Sequence, residues 1–232
     1  MKQRVNICSR LLSRDKFSGL LISNPVNISY LTGSEPMDGY LLVTSSAELF
    51  FFTNSIYALQ AKKIPSWRCF TASLNKNILQ LICEKIKSLK LRRVGFETKH
   101  LPYLQQKTLN RFLLDKKVFF VETNDFIEKM RMIKAEPEIN CIRKAITVNL
   151  QAFEYACQIF NPKTTEKNLA IEIEKFLSLN GDKDLAFPVI VAGGKNSVYP
   201  HYQPKQTAIG HKNFLIDLGS KHSGYCADLT RV

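Results

Sequence analysis

The residues best suited to do chemistry lie in the last 20 positions of the chain, NFLIDLGSKHSGYCADLTRV. Two apolar segments flank a turn rich in Gly and Ser, and each segment carries one aspartate, Asp217 and Asp228. A hairpin turn centred between His222 and Ser223 predicts that the aspartates lie directly opposite each other, with Cβ atoms about 4.5–5.5 Å apart. Two opposed carboxylates in apolar sequence repel each other and are costly to desolvate. A shared proton would relieve this repulsion, and one or two bound divalent cations would relieve it better.

The aspartate pair also has an interpretation that involves no chemistry. One aspartate faces solvent at the end of its strand, or pairs with a lysine. Two aspartates eleven residues apart are a weak signal by themselves, so both interpretations stay open at this point.

A second candidate is His201, in the segment VYPHYQP. A histidine on a loop braced by two prolines is exposed to whatever lies at the neighbouring strand ends. It can donate a hydrogen bond to a substrate carbonyl or transfer a proton; the simpler interpretation is a histidine on a surface loop. His211 and His222 lie in turn regions and are interpreted as solvated, and the sequence indicates no partner for His100.

Two other kinds of site are excluded by their spacing. The segment GGKNS at 193–197 lacks the spacing of a phosphate-binding loop or a dinucleotide fingerprint, and no helix signal follows it. The six cysteines form no CxxC pair and have no histidine at short spacing. Neither a zinc finger nor a cysteine hydrolase is indicated.

The elements that must position these residues begin with two predicted helices. Apolar residues recur every three or four positions across 139–160, and Pro137 with its flanking glutamates is typical of a helix N-terminus. Asn-Pro at 161–162 ends this helix, and Thr165 is expected to cap a second one, which Asn-Gly at 180–181 closes. Strands are predicted at 187–192, 213–219 and 225–232.

The first half of the chain alternates strand and helix signals. An opening helix, a short apolar strand ended by the turn pair Asn24-Pro25, and a hairpin over 40–53 are followed by further helices and strands. This alternation predicts an α/β domain with a partly parallel sheet. A charge-dense stretch near residue 125 predicts a division into domains 1–125 and 126–232.

Composition limits the class of protein. The chain has 232 residues, of which 45% are hydrophobic and 23% charged, which is typical of one or two globular domains rather than of disorder or coiled coil. The net charge of +13 allows nucleic acid, an anionic membrane surface or an acidic substrate as partner, and a basic solvated surface is the simplest interpretation. No signal-peptide pattern and no apolar run of about 20 residues is present, so we expect a cytoplasmic protein with free thiols.

These motifs together resemble a known superfamily. FPVIVAGGKNSVYPHYQP followed by FLIDLGSKHSGYCADLTRV is similar to the metallopeptidases of the aminopeptidase P, prolidase and creatinase superfamily. Upstream, MRMIKAEPEINCIRKA resembles the entry into their catalytic domain, and KTTEKNLAIEIEKFL resembles the family's T-E-x-x-[LV]A helix. LLISNPVNISYLTG resembles the signature of their N-terminal domain. The resemblance implies an α/β (α+β) fold: a creatinase-type N-terminal domain with a mixed sheet over 1–125, then the first half of a pita-bread catalytic domain over 126–232.

The resemblance also implies a role for each candidate residue. Asp217 would be a terminal ligand of one of two metal ions, Asp228 would bridge the two, and His201 would contact the substrate and help to stabilise the tetrahedral intermediate. The implied cofactors are two divalent ions, Mn²⁺ first because hard carboxylate ligands suit it, with Co²⁺ or Zn²⁺ as alternatives. The implied reaction is hydrolysis of the bond before proline in proline-containing peptides. A homodimer is an allowed assembly, and neither nucleic acid nor a membrane is expected as partner.

The sequence departs from the family pattern in two places. Thr53-Asn54-Ser55-Ile56-Tyr57 lacks the charged pair of the family's T-D-x-R-Y element. The sequence also stops at Val232, before the histidine and two glutamates that complete the family's ligand set, so we expect this chain to be an inactive fragment. Two other functions stay open: a non-enzymatic pita-bread module that binds protein or nucleic acid, and a different hydrolysis on the same scaffold, such as amidinohydrolysis or methionine removal.

Overall fold

The computed structural model describes residues 2–65, 67–114 and 117–232 and separates into two compact units, Met1–Ile133 and Lys134–Val232. They are termed the N-terminal and the C-terminal unit. The α/β composition that the sequence predicts is confirmed. Within the described ranges, no helix is both long and apolar enough to cross a membrane.

A six-stranded sheet forms the centre of the N-terminal unit. Its strands are Gly19–Ile22 (β1), Tyr40–Thr44 (β2), Leu49–Thr53 (β3), Arg68–Thr71 (β4), Arg93–Glu97 (β5) and Phe119–Thr123 (β6). They lie in the order β4-β3-β2-β1-β5-β6. β2 pairs antiparallel with β1 and β3, whereas β1–β5, β5–β6 and β3–β4 pair in parallel. The sheet is therefore mixed, as predicted, and the amino ends of β1, β5 and β6 lie at the same edge.

Helices cover both faces of this sheet. The described helices of the unit are Lys2–Arg14 (α1), Pro25–Thr32 (α2), Ala58–Lys62 (α3), Ile78–Ser88 (α4), Tyr103–Leu113 (α5) and Phe126–Met132 (α6). Leu20 packs in one core with Leu12 of α1, and Leu21 packs in the other with Ile82 of α4. Successive strand residues thus reach opposite cores, which is why β1 to β3 appear in the sequence as continuous apolar runs.

The segment after β1 is helical, so the prediction that Asn24-Pro25 forms a turn is wrong. The side chain of Asn24 caps α2 by accepting from the Val26 amide at 2.9 Å, and Pro25 occupies the first helical position. Proline is tolerated there because that position has no intrahelical donor to lose. The eight-residue helix shows little amphipathic pattern, and the Asn-Pro pair also fits a turn.

The division between the units lies at 133/134, eight residues beyond the predicted boundary at 125/126. The intervening helix, α6, belongs to the N-terminal unit. Ile127 is fully buried in the N-terminal core, and Glu128 and Arg131 both bond the side chain of Asn27, at 2.7 and 2.8 Å. The charge-dense sequence of α6 resembles a linker, but two of its charged side chains bond Asn27, about 100 residues earlier in the chain.

The C-terminal unit places two helices over a small antiparallel sheet. Its elements are Glu136–Ile159 (α7), Glu166–Asn180 (α8), Ile190–Gly193 (β7), Phe214–Leu218 (β8), Lys221–His222 (β9), Tyr225–Cys226 (β10) and Leu229–Arg231 (β11). The sheet order is β11-β8-β7, and β9 pairs with β10. Both predicted helices are confirmed, and the Thr165 hydroxyl accepts from the Asn168 amide at 3.2 Å as the predicted cap.

A buried carboxylate joins the start of α7 to the hairpin. Glu138 accepts from the Ala135 amide at 2.9 Å, as a first-turn glutamate can, and also from the Tyr225 hydroxyl at 2.9 Å. The motif at the start of α7 therefore helps to position the hairpin that carries the two aspartates.

Candidate metal and substrate site

The hairpin that carries the aspartates turns at Ser223-Gly224, one residue later than predicted. Both residues have positive φ, 51° and 80°, as a two-residue type I′ turn requires, and His222 pairs with Tyr225 across it. The carboxylate of Asp182 accepts from the Ser223 amide at 3.0 Å and from the Gly224 amide at 2.8 Å. The turn is thus held from the segment that follows α8.

This register places Asp217 opposite Thr230, so the prediction that Asp217 and Asp228 directly oppose each other is wrong. A turn centred one residue later shifts each pairing by two residues. Because side chains alternate between faces, a shift by two leaves Asp228 on the same face, as the diagonal neighbour of Asp217. The Thr230 hydroxyl donates to Asp217 Oδ1. The two carboxylates therefore share a face despite the error in register.

The two carboxylates also interact. Desolvation raises the pKa of Asp228, and the negative charge of Asp217 together with a hydrogen bond between the two side chains raises it further. Asp217 is half-buried, whereas Asp228 is exposed. The arrangement concentrates negative charge at one place on the sheet.

We expect Asp228→Asn to stabilise the chain slightly at neutral pH, by less than about 1 kcal/mol because the pair is partly solvated. A carboxyl whose folded-state pKa is raised supports folding below its unfolded pKa, and this support is lost as the pH rises through the folded value. The asparagine removes the charge but can still donate to Asp217.

Urea unfolding of Asp228→Asn at several pH values tests this, with the exposed Asp184→Asn as control. The gain should vanish in acid, once Asp228 is protonated in both the folded and the unfolded chain. A loss of stability at neutral pH would show that Asp228 is not repelled by Asp217.

His201 lies in an exposed turn after a 3₁₀ helix at Gly194–Val198. Among the described residues, none makes a hydrogen bond or ion pair with its ring, Asp217 and Asp228 included. Of the other histidines, His211 is exposed as predicted, whereas two differ from their predictions. His222 is half-buried in β9 rather than solvated, and His100 has a partner, because the side-chain amide of Asn24 lies 3.0 Å from its Nε2.

Glu166 is a site residue that the sequence reasoning missed. It is the first residue of α8, only 1% exposed, and its carboxylate is the shared acceptor for the segment that contains His201. Its donors are the Gly193 amide (2.8 Å), the Asn196 side chain (2.8 Å), the Tyr202 hydroxyl (2.7 Å) and the Lys205 amide (3.2 Å). The segment is thus fixed on both sides of His201.

The charge of Glu166 is stabilised by these donors. Desolvation is the largest single influence and raises its pKa, but the four hydrogen bonds together outweigh it and hold the pKa below its ordinary value. The pKa of Tyr202 is raised to about 12, first by burial and then by its bond to the carboxylate. Glu166 therefore stays an acceptor and Tyr202 a donor across the neutral range.

The signal for Glu166 was present but ambiguous. A glutamate directly after a Thr cap reads as a favourable charge at a helix N-terminus. That interpretation accounts for its type but predicts an exposed side chain, whereas Glu166 is buried under a loop that begins 27 residues later.

Comparison with known proteins shows the family to which this chain belongs. Residues 4–133 match the creatinase/prolidase N-terminal domain, and residues 140–232 match metallopeptidase family M24. The chain belongs to the creatinase/prolidase family. An Xaa-Pro dipeptidase of Pyrococcus horikoshii is 26% identical over 235 residues, covering 100% of this chain and 64% of that protein.

Solved structures of the creatinase/prolidase family share the fold of this chain. An Xaa-Pro dipeptidase from Bacillus anthracis superposes with a TM-score of 0.88 at 24% identity, covering 99% of this chain and 63% of that one. An X-Pro aminopeptidase from Thermotoga maritima gives 0.84 at 25% identity, covering 97% and 64%. The chain thus spans less than two thirds of the length of these relatives.

Members of family M24 use divalent metals. The side-chain oxygens near the hairpin therefore decide whether this chain can hold such an ion. Asp217 and Asp228 supply hard oxygen donors on one face, and a cation would neutralise the repulsion that raises the pKa of Asp228. Over residues 2–65, 67–114 and 117–232, no group of three or more His, Cys, Asp or Glu residues is placed to hold a metal. The two aspartates therefore fit a divalent ion as a partial ligand set.

Proposed function

We propose that the C-terminal unit carries part of the active site of a peptidase that hydrolyses the bond before a proline. The observation that supports it best is the pair Asp217 and Asp228, on one face of a hairpin and close enough that the first raises the pKa of the second. This hairpin lies in the segment that matches metallopeptidase family M24. The relatives named Xaa-Pro dipeptidase and X-Pro aminopeptidase support proline-containing peptides as the substrate class.

In this proposal Asp217 and Asp228 would hold the divalent ions, and Asp228 would serve both of them. Carboxylate oxygens favour Mn²⁺ among the candidates, with Co²⁺ and Zn²⁺ as alternatives. When bound, such ions supply Lewis-acid chemistry that activates water and polarises a carbonyl. Thr230 donates to Oδ1 of Asp217 and would orient that carboxylate for the ion.

His201 is proposed to contact the substrate. Its ring is exposed and makes no hydrogen bond to a described residue, so both nitrogens are available. The adjacent Tyr202 is buried and bonded to Glu166 at 2.7 Å, so the backbone at His201 is fixed while its side chain remains accessible. A histidine held in this way can donate to a carbonyl that gains negative charge during hydrolysis.

We propose that the chain of 232 residues does not turn over peptides by itself. Two carboxylates are fewer ligands than a stable catalytic site for one metal ion uses, which is three or more protein groups. The metal would bind weakly and its geometry would not be fixed.

Thermal unfolding with and without millimolar Mn²⁺ tests the metal site. Mn²⁺ should raise the midpoint for the unmodified chain and for the control Asp184→Asn, because an ion that binds only the folded state stabilises it. The rise should be absent in Asp217→Asn and in Asp228→Asn. No rise in the unmodified chain would contradict the metal site, and turnover of an Xaa-Pro peptide by this chain would contradict its proposed inactivity.

A further inference from the structure

The positive charge of this protein is concentrated in one unit. Residues 1–133 contain 21 of the 33 Lys and Arg residues but 10 of the 20 Asp and Glu residues, whereas residues 134–232 contain 12 and 10. The N-terminal unit therefore carries +11 of the net +13. It also contains none of the residues proposed for peptide hydrolysis, so its charge calls for a separate explanation.

Part of this charge forms a row at one edge of the sheet. Lys16 precedes β1, Lys90 precedes β5 and Lys117 precedes β6, each by two or three residues, and Arg93 begins β5. These strands are adjacent and parallel, so their amino ends lie side by side at intervals of about 4.8 Å. All four side chains are exposed. We term this row the basic edge.

The three lysines occupy a backbone conformation that disfavours lysine. Their φ angles are 58°, 52° and 54°, in the left-handed region where Gly and Asn are the usual residues. A cation is favourable near a helix C-terminus such as that of α1 or α4. The helix dipole accounts for the positive charge of these lysines, but it does not account for the strained backbone at three neighbouring turns. Strained residues cluster at functional sites.

The basic edge is not neutralised by the described carboxylates. None of them forms an ion pair with Lys16, Lys90 or Lys117. Two acids in the adjoining turns are paired elsewhere: Asp15 with Arg14 at 2.8 Å and Glu48 with Arg68 at 3.7 Å. The edge is therefore available to an external anion.

An aromatic ring lies beside the cations. Phe119, the first residue of β6, is 70% exposed and is the direct neighbour of Arg93 in the β5–β6 register. The Arg93 guanidinium lies over the ring of Phe17 at 4.7 Å, which holds it in place. An exposed ring beside a row of cations is the arrangement on which single-stranded nucleic acids stack their bases while the cations contact phosphates.

We propose that the basic edge binds single-stranded nucleic acid, with Lys16, Lys90, Arg93 and Lys117 on phosphates and Phe119 against a base. A linear row of cations suits a linear polyanion, and Phe119 favours bases over the carboxylates of an acidic polypeptide. The sequence alone does not favour this partner, because the net charge of +13 does not show where on the chain's surface the cations lie. The structure places most of that charge in the unit that matches the creatinase/prolidase N-terminal domain.

Fluorescence anisotropy of a labelled oligouridylate with the full chain tests this. Four phosphate contacts predict a slope of log K against log salt of about −2.8, or roughly 50-fold weaker binding at 200 mM than at 50 mM salt. Absence of binding at the lower salt would overturn the proposal.

The variant Lys16→Asn/Lys90→Asn/Lys117→Asn isolates the row. Asparagine tolerates the left-handed backbone, so this variant should unfold no earlier than the parent. Its binding should weaken at least tenfold and its salt slope should fall to about −0.7, since one of four contacts remains. The matched control Lys76→Asn/Lys99→Asn/Lys163→Asn removes the same charge elsewhere and should retain the parent slope; equal losses in both variants would overturn the proposal.

Phe119→Ala separates nucleic acid from other anions. It should weaken oligouridylate binding at least fivefold and leave binding of polyglutamate or phosphatidylserine vesicles unchanged. The proposal would be overturned if polyglutamate or the vesicles bound more tightly than oligouridylate and Phe119→Ala left oligouridylate binding unchanged. The partner would then be an acidic protein or a membrane surface.

Discussion

Replacing Glu166 with Gln is expected to lower the free energy of unfolding of the C-terminal unit by about 3 kcal/mol. The carboxylate accepts four hydrogen bonds while only 1% exposed. The Gln amide would point a donor at groups that are themselves donors, among them Asn196 and the Gly193 amide. A buried donor left without an acceptor costs far more than an exposed bond that exchanges with water.

The measurement is urea unfolding followed by far-ultraviolet circular dichroism, with hydrogen exchange of residues 193–205 as the local readout. Exchange there should accelerate because the segment loses its common acceptor. Glu154→Gln is the matched control, since Glu154 lies exposed on α7. Unchanged stability and unchanged exchange in Glu166→Gln would show that the loop holds its shape without the carboxylate.

The acid dependence should differ between the parent and this variant. Because the folded-state pKa of Glu166 is lowered, its contribution is present above the unfolded pKa of about 4.3 and is lost as the pH falls through the folded value. The stability gap between the parent and Glu166→Gln should therefore narrow in acid. A gap that stays constant with pH would mean that packing, rather than charge, is what Glu166 supplies.

Replacing Glu97 with Gln should have a comparable effect on the N-terminal unit, lowering its free energy of unfolding by about 2–3 kcal/mol. Glu97 ends β5 and is 4% exposed. One carboxylate oxygen accepts from the Ser23 and Asn24 amides, both at 2.8 Å, and the other accepts from the Asn27 side chain at 2.6 Å. Either orientation of the Gln amide brings a donor against a donor, which loosens the start of α2.

The chain's single tryptophan, Trp67, reports this transition, because it is buried in the N-terminal core and stacks on Phe51 at 4.3 Å. The fluorescence midpoint in urea should fall for Glu97→Gln. It should stay at the parent value for Glu122→Gln, because Glu122 is exposed on the neighbouring β6. Equal midpoints for the parent and Glu97→Gln would mean that the amides at the end of β1 find other acceptors.

Several features could be predicted because their causes are local in sequence. The helix over Glu136–Ile159 follows from apolar residues at three- and four-residue steps, and its start follows from proline and carboxylates at the dipole's positive end. The cap at Thr165 follows from one hydroxyl within reach of an amide three residues on. The hairpin over 40–53 follows from two apolar runs around a short polar turn.

The features that failed are those in which two local signals compete. Asn24-Pro25 fits either a turn or a helix start, and α2 has too little amphipathic pattern to decide. The turn of the aspartate hairpin was placed by symmetry, whereas the positive φ of Ser223 and Gly224 decided its centre. The observed turn centre lies one residue later than the predicted one, which shifts the strand pairing by two residues. Asp228 is therefore diagonal to Asp217 instead of opposite it, but both stay on the same face of the hairpin.

The amino-acid sequence by itself determined the α/β class, the two main helices of the C-terminal unit and the residue types Asp217, Asp228 and His201. Only the tertiary structure decided that Glu166 holds the loop of His201, that Glu97 joins β1 to β5, and that three lysines line one edge of the sheet. The physical reason is that each feature brings together residues far apart in the chain, such as Glu166 and Gly193, 27 positions apart, or Glu97 and Ser23, 74 positions apart. A buried carboxylate is recognised by the donors that surround it, and no periodicity or spacing along the chain indicates which donors the fold will bring to it.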